Sequence, residues 1–190
     1  MAYKFRRLDT DLVCPVEKAG ILDNRLRRLV QDPKIILKPY LKEGMIALDV
    51  GCGPGYFSLD MARMVGKTGR VIACDLQQGM LQKLKEKIQG TELEERITLQ
   101  KCEQNKLGVT ENVDFILAFW MVHEVPDKDR FLNELEAILK PNGLILIEEP
   151  PFHVSEQDFQ NTIRIAEAIG FDIFKRPKIF LGKKVILKKS

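Results

Sequence analysis

The sequence predicts an α/β domain with a doubly wound, mostly parallel sheet, and three observations carry that expectation. From Met45 onward, short apolar runs alternate with stretches whose apolar residues fall at helical spacing, the pattern of strands joined by helical crossovers. The run Val113–Phe119 is apolar almost throughout after Asp114, as a strand covered on both faces must be. The run Ile46–Val50 opens directly into Gly51-Cys52-Gly53-Pro54-Gly55 and then a helix, the strand–turn–helix unit at which such sheets hold a ligand.

Taken in order, residues 1–44 read as an N-terminal helical cap or lid, and residues 45–190 as the ligand-binding domain. Leu22, Leu26 and Leu29 or Val30 share one helical face over Asp23–Val30, with Arg25, Arg27 and Arg28 on the others. Asp32-Pro33 reads as the N-cap and first position of a second helix that runs to about Tyr40 and ends at Lys42-Glu43-Gly44. Strands are then expected over 46–50, 70–74 with Asp75 at its end, 97–101, 113–119 and 144–148. Helices are expected over 56–65, 78–89, 127–139 and 155–169, the last capped by Ser155. Gly66–Gly69 and Lys140-Pro141-Asn142-Gly143 read as turns. Two strands over 171–180 and 184–188 close the sheet as a hairpin.

With 190 residues, 45% of them hydrophobic and 30% charged, the chain can bury a full core as one domain with a short appendage. A net charge of +3 does not suggest nucleic acid as a partner. The seven Lys and Arg between Phe171 and Ser190 read as a solvated, aggregation-resistant sheet edge, which neither demands nor forbids a dimer. The N-terminus lacks the apolar core of a signal peptide and no apolar run reaches membrane-spanning length, so a cytoplasmic protein without a membrane partner is expected. Cys14, Cys52, Cys74 and Cys102 are scattered, with no Cys-x-x-Cys pair. Free thiols are expected, with neither a disulfide framework nor a metal site.

In a doubly wound sheet the loops after strands one to four converge on one rim. That rim carries Gly51–Gly55, Asp75, Cys102-Glu103 and Phe119-Trp120. A dinucleotide loop spaces its glycines Gly-x-Gly-x-x-Gly; here Gly55 comes one residue early and Tyr56 takes the expected place. Asp49, two residues before Gly51, sits badly with a phosphate and well with a cation. Asp75 suits the two hydroxyls of a ribose. The ligand so described has an adenosine and a positive centre and lacks a pyrophosphate, which S-adenosylmethionine satisfies.

At these residues the sequence resembles the class I S-adenosylmethionine-dependent methyltransferases. Leu48-Asp49-Val50-Gly51-Cys52-Gly53-Pro54-Gly55 matches their first motif and Val71-Ile72-Ala73-Cys74-Asp75 their acidic strand-two motif. Asp114–Phe119 with Val122–Asp127 matches the strand-four motif and its loop, and Leu139–Leu144 the turn before strand five. The pattern is similar to the small-molecule branch near the ubiquinone/menaquinone C-methyltransferases and arsenite methyltransferases. The resemblance implies a Rossmann-like seven-stranded sheet with an antiparallel last strand. It also implies methyl transfer to a small-molecule acceptor by direct displacement, with no metal required. Gly51, Cys52, Gly53 and Gly55 would approach the methionine half of the cofactor and Asp49 would organise the ammonium. Asp75 would hold the ribose, Leu76 would pack on the adenine, Cys102 and Glu103 would line its edge, and the Phe119 carbonyl would lie near the ammonium. The family usually carries Asp where Glu103 stands.

The acceptor side is read from fewer residues. His123 is either a base toward the acceptor or a fixture of the loop. Trp120, the only tryptophan, either positions the acceptor or packs beneath the cap. His153 reads as a surface-loop residue. Tyr3, Arg27, Arg28 and Tyr40 are the cap residues that would meet an acidic or aromatic acceptor. Two rival readings stand beside methyl transfer to a small molecule. One is a cofactor-binding module or partner subunit without chemistry; the other is a metalloid methyltransferase using Cys14, Cys52 and Cys102 as soft ligands. Tyr56 and Asp49 oppose a nicotinamide enzyme. The loop Phe119-Trp120-Met121-Val122 differs from the Asn-Pro-Pro-Tyr of base amino-methylation.

Overall fold

A computed structural model describes residues 16, 27–177 and 182–190. The expectations for Tyr3, Cys14, the helix start at Asp23 and the strand end at Phe180 lie outside the described residues. The strands are β1 (Ile46–Val50), β2 (Arg70–Asp75), β3 (Ile97–Lys101), β4 (Val113–Phe119), β5 (Leu139–Glu149), β6 (Phe171–Lys175) and β7 (Lys183–Lys189). The helices are α1 (Arg27–Val30), α2 (Pro33–Leu37), α3 (Ser58–Met64), α4 (Gln78–Ile88), α5 (Lys128–Ile138) and α6 (Glu156–Ile169). One sheet holds all seven strands in the order β3-β2-β1-β4-β5-β7-β6. β1 to β5 are parallel and β7 runs antiparallel to both neighbours, as the resemblance implied.

The period-two alternation of the central strands explains the two layers. Leu48, Val50, Ile116 and Ala118 enter one core with Leu132 and Leu135 of α5 and Phe159 and Ile163 of α6. Ala47, Phe115 and Leu117 enter the other with Leu37, Met61 and Leu84 of α2, α3 and α4. β1 and β4 are therefore apolar on both faces, and each fully buried large side chain contributes roughly 1.5–3 kcal/mol. Helix starts follow the expected chemistry. Asp32 accepts from the Lys34 N–H at 2.9 Å with Pro33 at the first position, and Ser155 accepts from the Asp158 N–H at 3.0 Å. Strand order reverses between β1 and β4, so the carboxyl ends of β1, β2 and β4 face one crevice.

Four boundaries differ from the sequence expectation. β6, expected to run to Phe180, ends at Lys175. α2 stops at Leu37, and the following turn buries Tyr40 and Leu41 against α3. α3 begins at Ser58, because residues 51–57 are consumed by the turn after β1. The supposed turn Lys140–Gly143 is a bulge inside β5, where the β4 register passes from Val113↔Leu139 to Phe115↔Leu144 and Asn142 takes φ 63°. Asp114 holds this bulge, accepting from Lys140 Nζ at 2.7 Å and from the Ile46 N–H at 2.8 Å. No described helix is long and apolar enough to cross a membrane.

The described N-terminal segment, from Arg27 on, is pinned to α3. Arg28 Nη2 lies 2.6 Å from Asp60 Oδ2, Arg63 Nη1 lies 3.2 Å from Asp60 Oδ1, and Tyr56 Oη donates to the Gln31 carbonyl at 2.8 Å. Asp60 is buried, so its carboxylate depends on these two arginines. Asp60→Ala is expected to cost about 1–3 kcal/mol in chemical denaturation. It should also raise amide exchange in Arg27–Gln31 while α6 stays protected; unchanged exchange in α1 would show that Asp60 does not hold it.

Candidate active site

The turn after β1 is built by β2. The Cys74 carbonyl accepts from the Gly51 and Cys52 N–H groups at 2.8 and 3.0 Å, and Asp75 Oδ2 accepts from the Gly53 N–H at 2.9 Å. The Gly55 N–H closes back on the Cys52 carbonyl at 3.1 Å. The turn amides of Gly51, Cys52, Gly53 and Gly55 are thus already bonded within the fold. Gly51 takes φ 68°, and a Cβ there would stand 3.0 Å from the Met121 side chain, so β-carbon-free backbone forms this wall of the crevice. Gly55 does not line the crevice: at φ 89° it packs on α4, where a Cβ would meet Leu84 Cδ1 at 2.4 Å.

Two buried carboxylates stand beneath the turn. Asp49 accepts from Ser58 Oγ at 2.5 Å. Burial pushes its pKa up to about 7 against the pull of that bond; nearby Asp75 raises it further and Arg27 opposes. Asp75 is also raised by burial, while the Gln77 and Gly53 amides draw it down. Its two oxygens receive those amides at 2.8 and 2.9 Å, so the carboxyl expected to hold a ribose also braces both loops around it. Leu76 is partly exposed on the same wall. Cys102 is buried and donates its N–H to the Asp75 carbonyl at 3.1 Å. Glu103 is exposed on a tight turn closed by backbone bonds with Lys106.

A cavity of about 830 Å³ joins these residues to the end of β4, within the range of roughly 300–1,000 Å³ usual for small-molecule sites. Every residue expected to bind the cofactor lines it except Gly55, and so do His123 and Trp120 of the acceptor side. Phe119 is buried, its ring 4.4 Å from Phe57 and 5.5 Å from Trp120. Trp120 takes φ 58°, a left-handed conformation costly for an aromatic residue, and its backbone N–H donates to the Glu148 carbonyl at 2.7 Å. It stands both on the cavity wall and beneath Arg27 of the N-terminal segment, whose Cζ is 5.4 Å from its ring.

His123 sits in a short helical turn, Val122–Glu124, and its Nδ1 lies 2.7 Å from Oε2 of Glu149 at the end of β5. Burial works to lower the histidine pKa, but the hydrogen bond and charge of Glu149, joined by Glu124, outweigh it and the net shift is upward. Its ring lies 6.1 Å from that of His153, which also lines the cavity. Sequence reasoning missed Glu149; the signal was a pair of acids closing an otherwise apolar strand. β-strand alternation sends them to opposite faces: Glu149 to His123, and Glu148 to Lys184 at 2.8 Å.

Of the suspected cap residues, Arg27 lines the cavity. Arg28 instead pairs with Asp60, and Tyr40 is buried in the core. Among the described residues the thiols form no soft-metal site. Cys14 lies outside the described residues, and no described group of three or more His, Cys, Asp or Glu is placed to hold a metal ion. Burial raises the Cys52 thiol, and the buried Cys74 thiol donates to the Leu107 carbonyl at 3.8 Å. The donor set fits S-adenosylmethionine: bare backbone, two buried acids and an aromatic wall suit a cationic nucleoside, and the bonded turn amides do not suit a diphosphate.

Comparison with known proteins agrees. A family model described as a methyltransferase domain matches residues 41–176. The demethylmenaquinone methyltransferase of Lactobacillus johnsonii is 35% identical over 153 residues, 80% of this chain and 61% of that protein. The ubiquinone/menaquinone biosynthesis C-methyltransferase of Haemophilus ducreyi is 29% identical over 110 residues, 57% of this chain and 42% of that protein. The chain thus spans about two fifths to three fifths of these curated relatives. The crystal structure of a SAM-dependent methyltransferase from Aquifex aeolicus superposes with TM-score 0.85 at 29% identity, covering 94% of this chain and all of that one. A Methanococcus maripaludis structure shares the fold at TM-score 0.77 and 16% identity, covering 100% of this chain and 98% of that one. With the family model spanning most of the sheet, and the glycine turn, acidic strand ends and strand order beneath it, the chain belongs to the methyltransferase-domain family, among the class I S-adenosylmethionine-dependent methyltransferases.

Proposed function

We propose that the chain transfers a methyl group from S-adenosylmethionine to a small-molecule acceptor that gives up a proton to His123. The observation that carries this reading is the 2.7 Å contact between His123 Nδ1 and buried Glu149, on the wall of the cavity that the glycine turn also lines. Glu149 accepts the Nδ1–H and fixes the tautomer, which leaves Nε2 as the proton acceptor. The bound cofactor supplies an electrophilic methyl group at its sulfonium. Gly51–Gly53, Asp49, Asp75 and Leu76 would hold it, with Cys102 and Glu103 at the adenine edge and the Phe119 carbonyl near the ammonium. The protein's main contribution is alignment and exclusion of water, with the N-terminal segment as the cover and Trp120 positioning the acceptor.

The names of the matched relatives, demethylmenaquinone and ubiquinone/menaquinone methyltransferases, support a quinone-type ring as the acceptor. A reduced ring of this kind carries an acidic hydroxyl, which suits a histidine base. Incubation of the chain with methyl-labelled S-adenosylmethionine and a panel of hydroquinones should yield S-adenosylhomocysteine and a methylated ring carbon. Tight cofactor binding with no transfer to any acceptor or cell extract would instead favour a binding module.

The pH profile tests the base. A histidine whose pKa is raised above 6.5 stays protonated to higher pH, and only its neutral form accepts a proton. The acid limb of kcat/KM should therefore lie above 6.5, and Glu149→Gln should move it to lower pH while reducing the plateau. His123→Ala should leave cofactor affinity within about twofold and lower kcat by about 10²–10⁴-fold. A limb that ignores Glu149→Gln would assign it to another group.

Asp49 generates a second prediction. With its pKa near 7 the carboxyl is partly protonated at neutral pH, and an ammonium placed beside it favours the charged form. Binding of S-adenosylhomocysteine at pH 7 should release protons, seen as a binding enthalpy that changes between phosphate and Tris buffers, and Asp49→Asn should abolish the difference. Identical heats in both buffers for the unmodified chain would remove Asp49 from the ammonium site.

A further inference from the structure

We propose that Glu134 is the positioning residue of the adenine pocket: from α5 it holds the loop after β3 where Cys102 and Glu103 meet the base. This rests on the cofactor reading above and adds to it a residue that acts through the loop. Residues 102–107 all line the cavity. Glu103 and Lys106 exchange backbone bonds at 2.8 and 3.2 Å, which close a tight turn, and residues 103–106 are exposed. A turn bonded to itself keeps its shape but not its place. The place is set at its two ends. At the first, the Cys102 N–H donates to the Asp75 carbonyl at 3.1 Å. At the second, Leu107 is held through both backbone groups: its N–H donates to Glu134 Oε2 at 2.7 Å, and its carbonyl accepts from the Cys74 thiol at 3.8 Å.

The two bonds at Leu107 are unequal. A thiol is a weak donor and its bond here is long, so the carboxylate carries the second anchor. Glu134 is itself placed by its helix. Asp127, which caps α5, and Arg130, Phe131 and Glu134 follow the three- and four-residue spacing of one helical face, and all four line the cavity. Leu132 and Leu135 of the same helix are fully buried in the core with β1 and β4, which fixes how that face is turned. The other carboxylate oxygen, Oε1, accepts from Arg130 Nε at 3.4 Å and leaves Oε2 to Leu107. Recognition of a base edge needs its contacts held to within about 0.5 Å. A loop without its second anchor would leave the ribose and thioether contacts intact and lose the preference for adenine.

Two nucleosides separate the pocket from the rest of the crevice, read by calorimetry on the full chain. 5′-Methylthioadenosine and 5′-methylthioinosine share ribose and thioether and differ only at the purine edge. Wild-type protein should prefer the adenosine compound. Glu134→Ala is expected to weaken 5′-methylthioadenosine about tenfold, to leave 5′-methylthioinosine within about twofold, and to speed amide exchange at Leu107. Glu134→Gln keeps an acceptor oxygen at the same reach and should recover most of the preference; a Gln variant no better than Ala would assign the loss to the Arg130 pair and overturn the role at Leu107. Equal weakening of both nucleosides with a lowered Tm would make Glu134 a residue of the fold alone, and no weakening of either would remove it from the pocket. Wild-type protein that binds both nucleosides alike has no adenine preference to maintain, which overturns the assignment and leaves the cofactor reading standing. Wild-type protein that binds neither overturns the cofactor reading and the assignment with it.

Discussion

The site depends on one set of hydrogen bonds, the capture of the glycine turn by the end of β2. Cys74 and Asp75 accept the N–H groups of Gly51, Cys52 and Gly53, so the turn is fastened to the neighbouring strand before any ligand arrives. A turn of this composition on its own is compatible with phosphate, because its glycines expose backbone donors at a helix start. Spending those donors on β2 changes what the crevice offers. Its floor becomes backbone without a β-carbon at Gly51, edged by the Asp49 and Asp75 carboxyls, and the remaining specificity is for positive charge and for hydroxyls. The choice of cofactor class thus follows from which acceptor meets three amides.

Holding two acids inside a protein is not free of consequence. Asp49 has its pKa raised from 3.8 to about 7 by burial, so the folded chain binds a proton there more tightly than the unfolded chain does. The sign follows from linkage: the stabilisation is complete below 3.8 and is lost as pH rises through 7. At neutral pH the ligand-free fold therefore carries a carboxyl it would sooner keep protonated, and a cationic ligand relieves that state. The acceptor end is arranged differently. There an acid, Glu149, is matched to a histidine, and its hydrogen bond and charge make His123 more basic. One cavity thus holds a carboxyl kept partly neutral by burial and a histidine kept charged to higher pH by its partner.

Much of this was legible in the residues. The alternation of apolar runs located every strand of the sheet, and the glycine turn with Asp49 and Asp75 named the donor side, because these signals are local in sequence. What escaped was long-range. The Lys140–Gly143 segment reads as a turn from Pro-Asn-Gly, but pairing with β4 keeps it extended, with Asp114 bonding across the bulge. Gly55 belongs to the motif, yet its reason is contact with Leu84 of α4, 29 residues on. Glu149 lies 26 residues from His123 in sequence and meets it only because β4 and β5 are parallel neighbours. Arg28 and Tyr40 look like site residues by type and are taken by Asp60 and by the core. The left-handed backbone of Trp120 has no sequence signal, since nothing about tryptophan favours it.

That last feature has an optical side. Trp120 is the only tryptophan in the chain, and it stands on the cavity wall, stacked on Phe119 and covered by a guanidinium from the N-terminal segment. All indole emission from this protein therefore originates within the site. Quenching, spectral position and anisotropy each report how the ring is solvated and how freely the cover above it moves. The chain carries a native single-site fluorophore at the place where its ligands meet, and loading and release of the crevice can be followed in real time without a label.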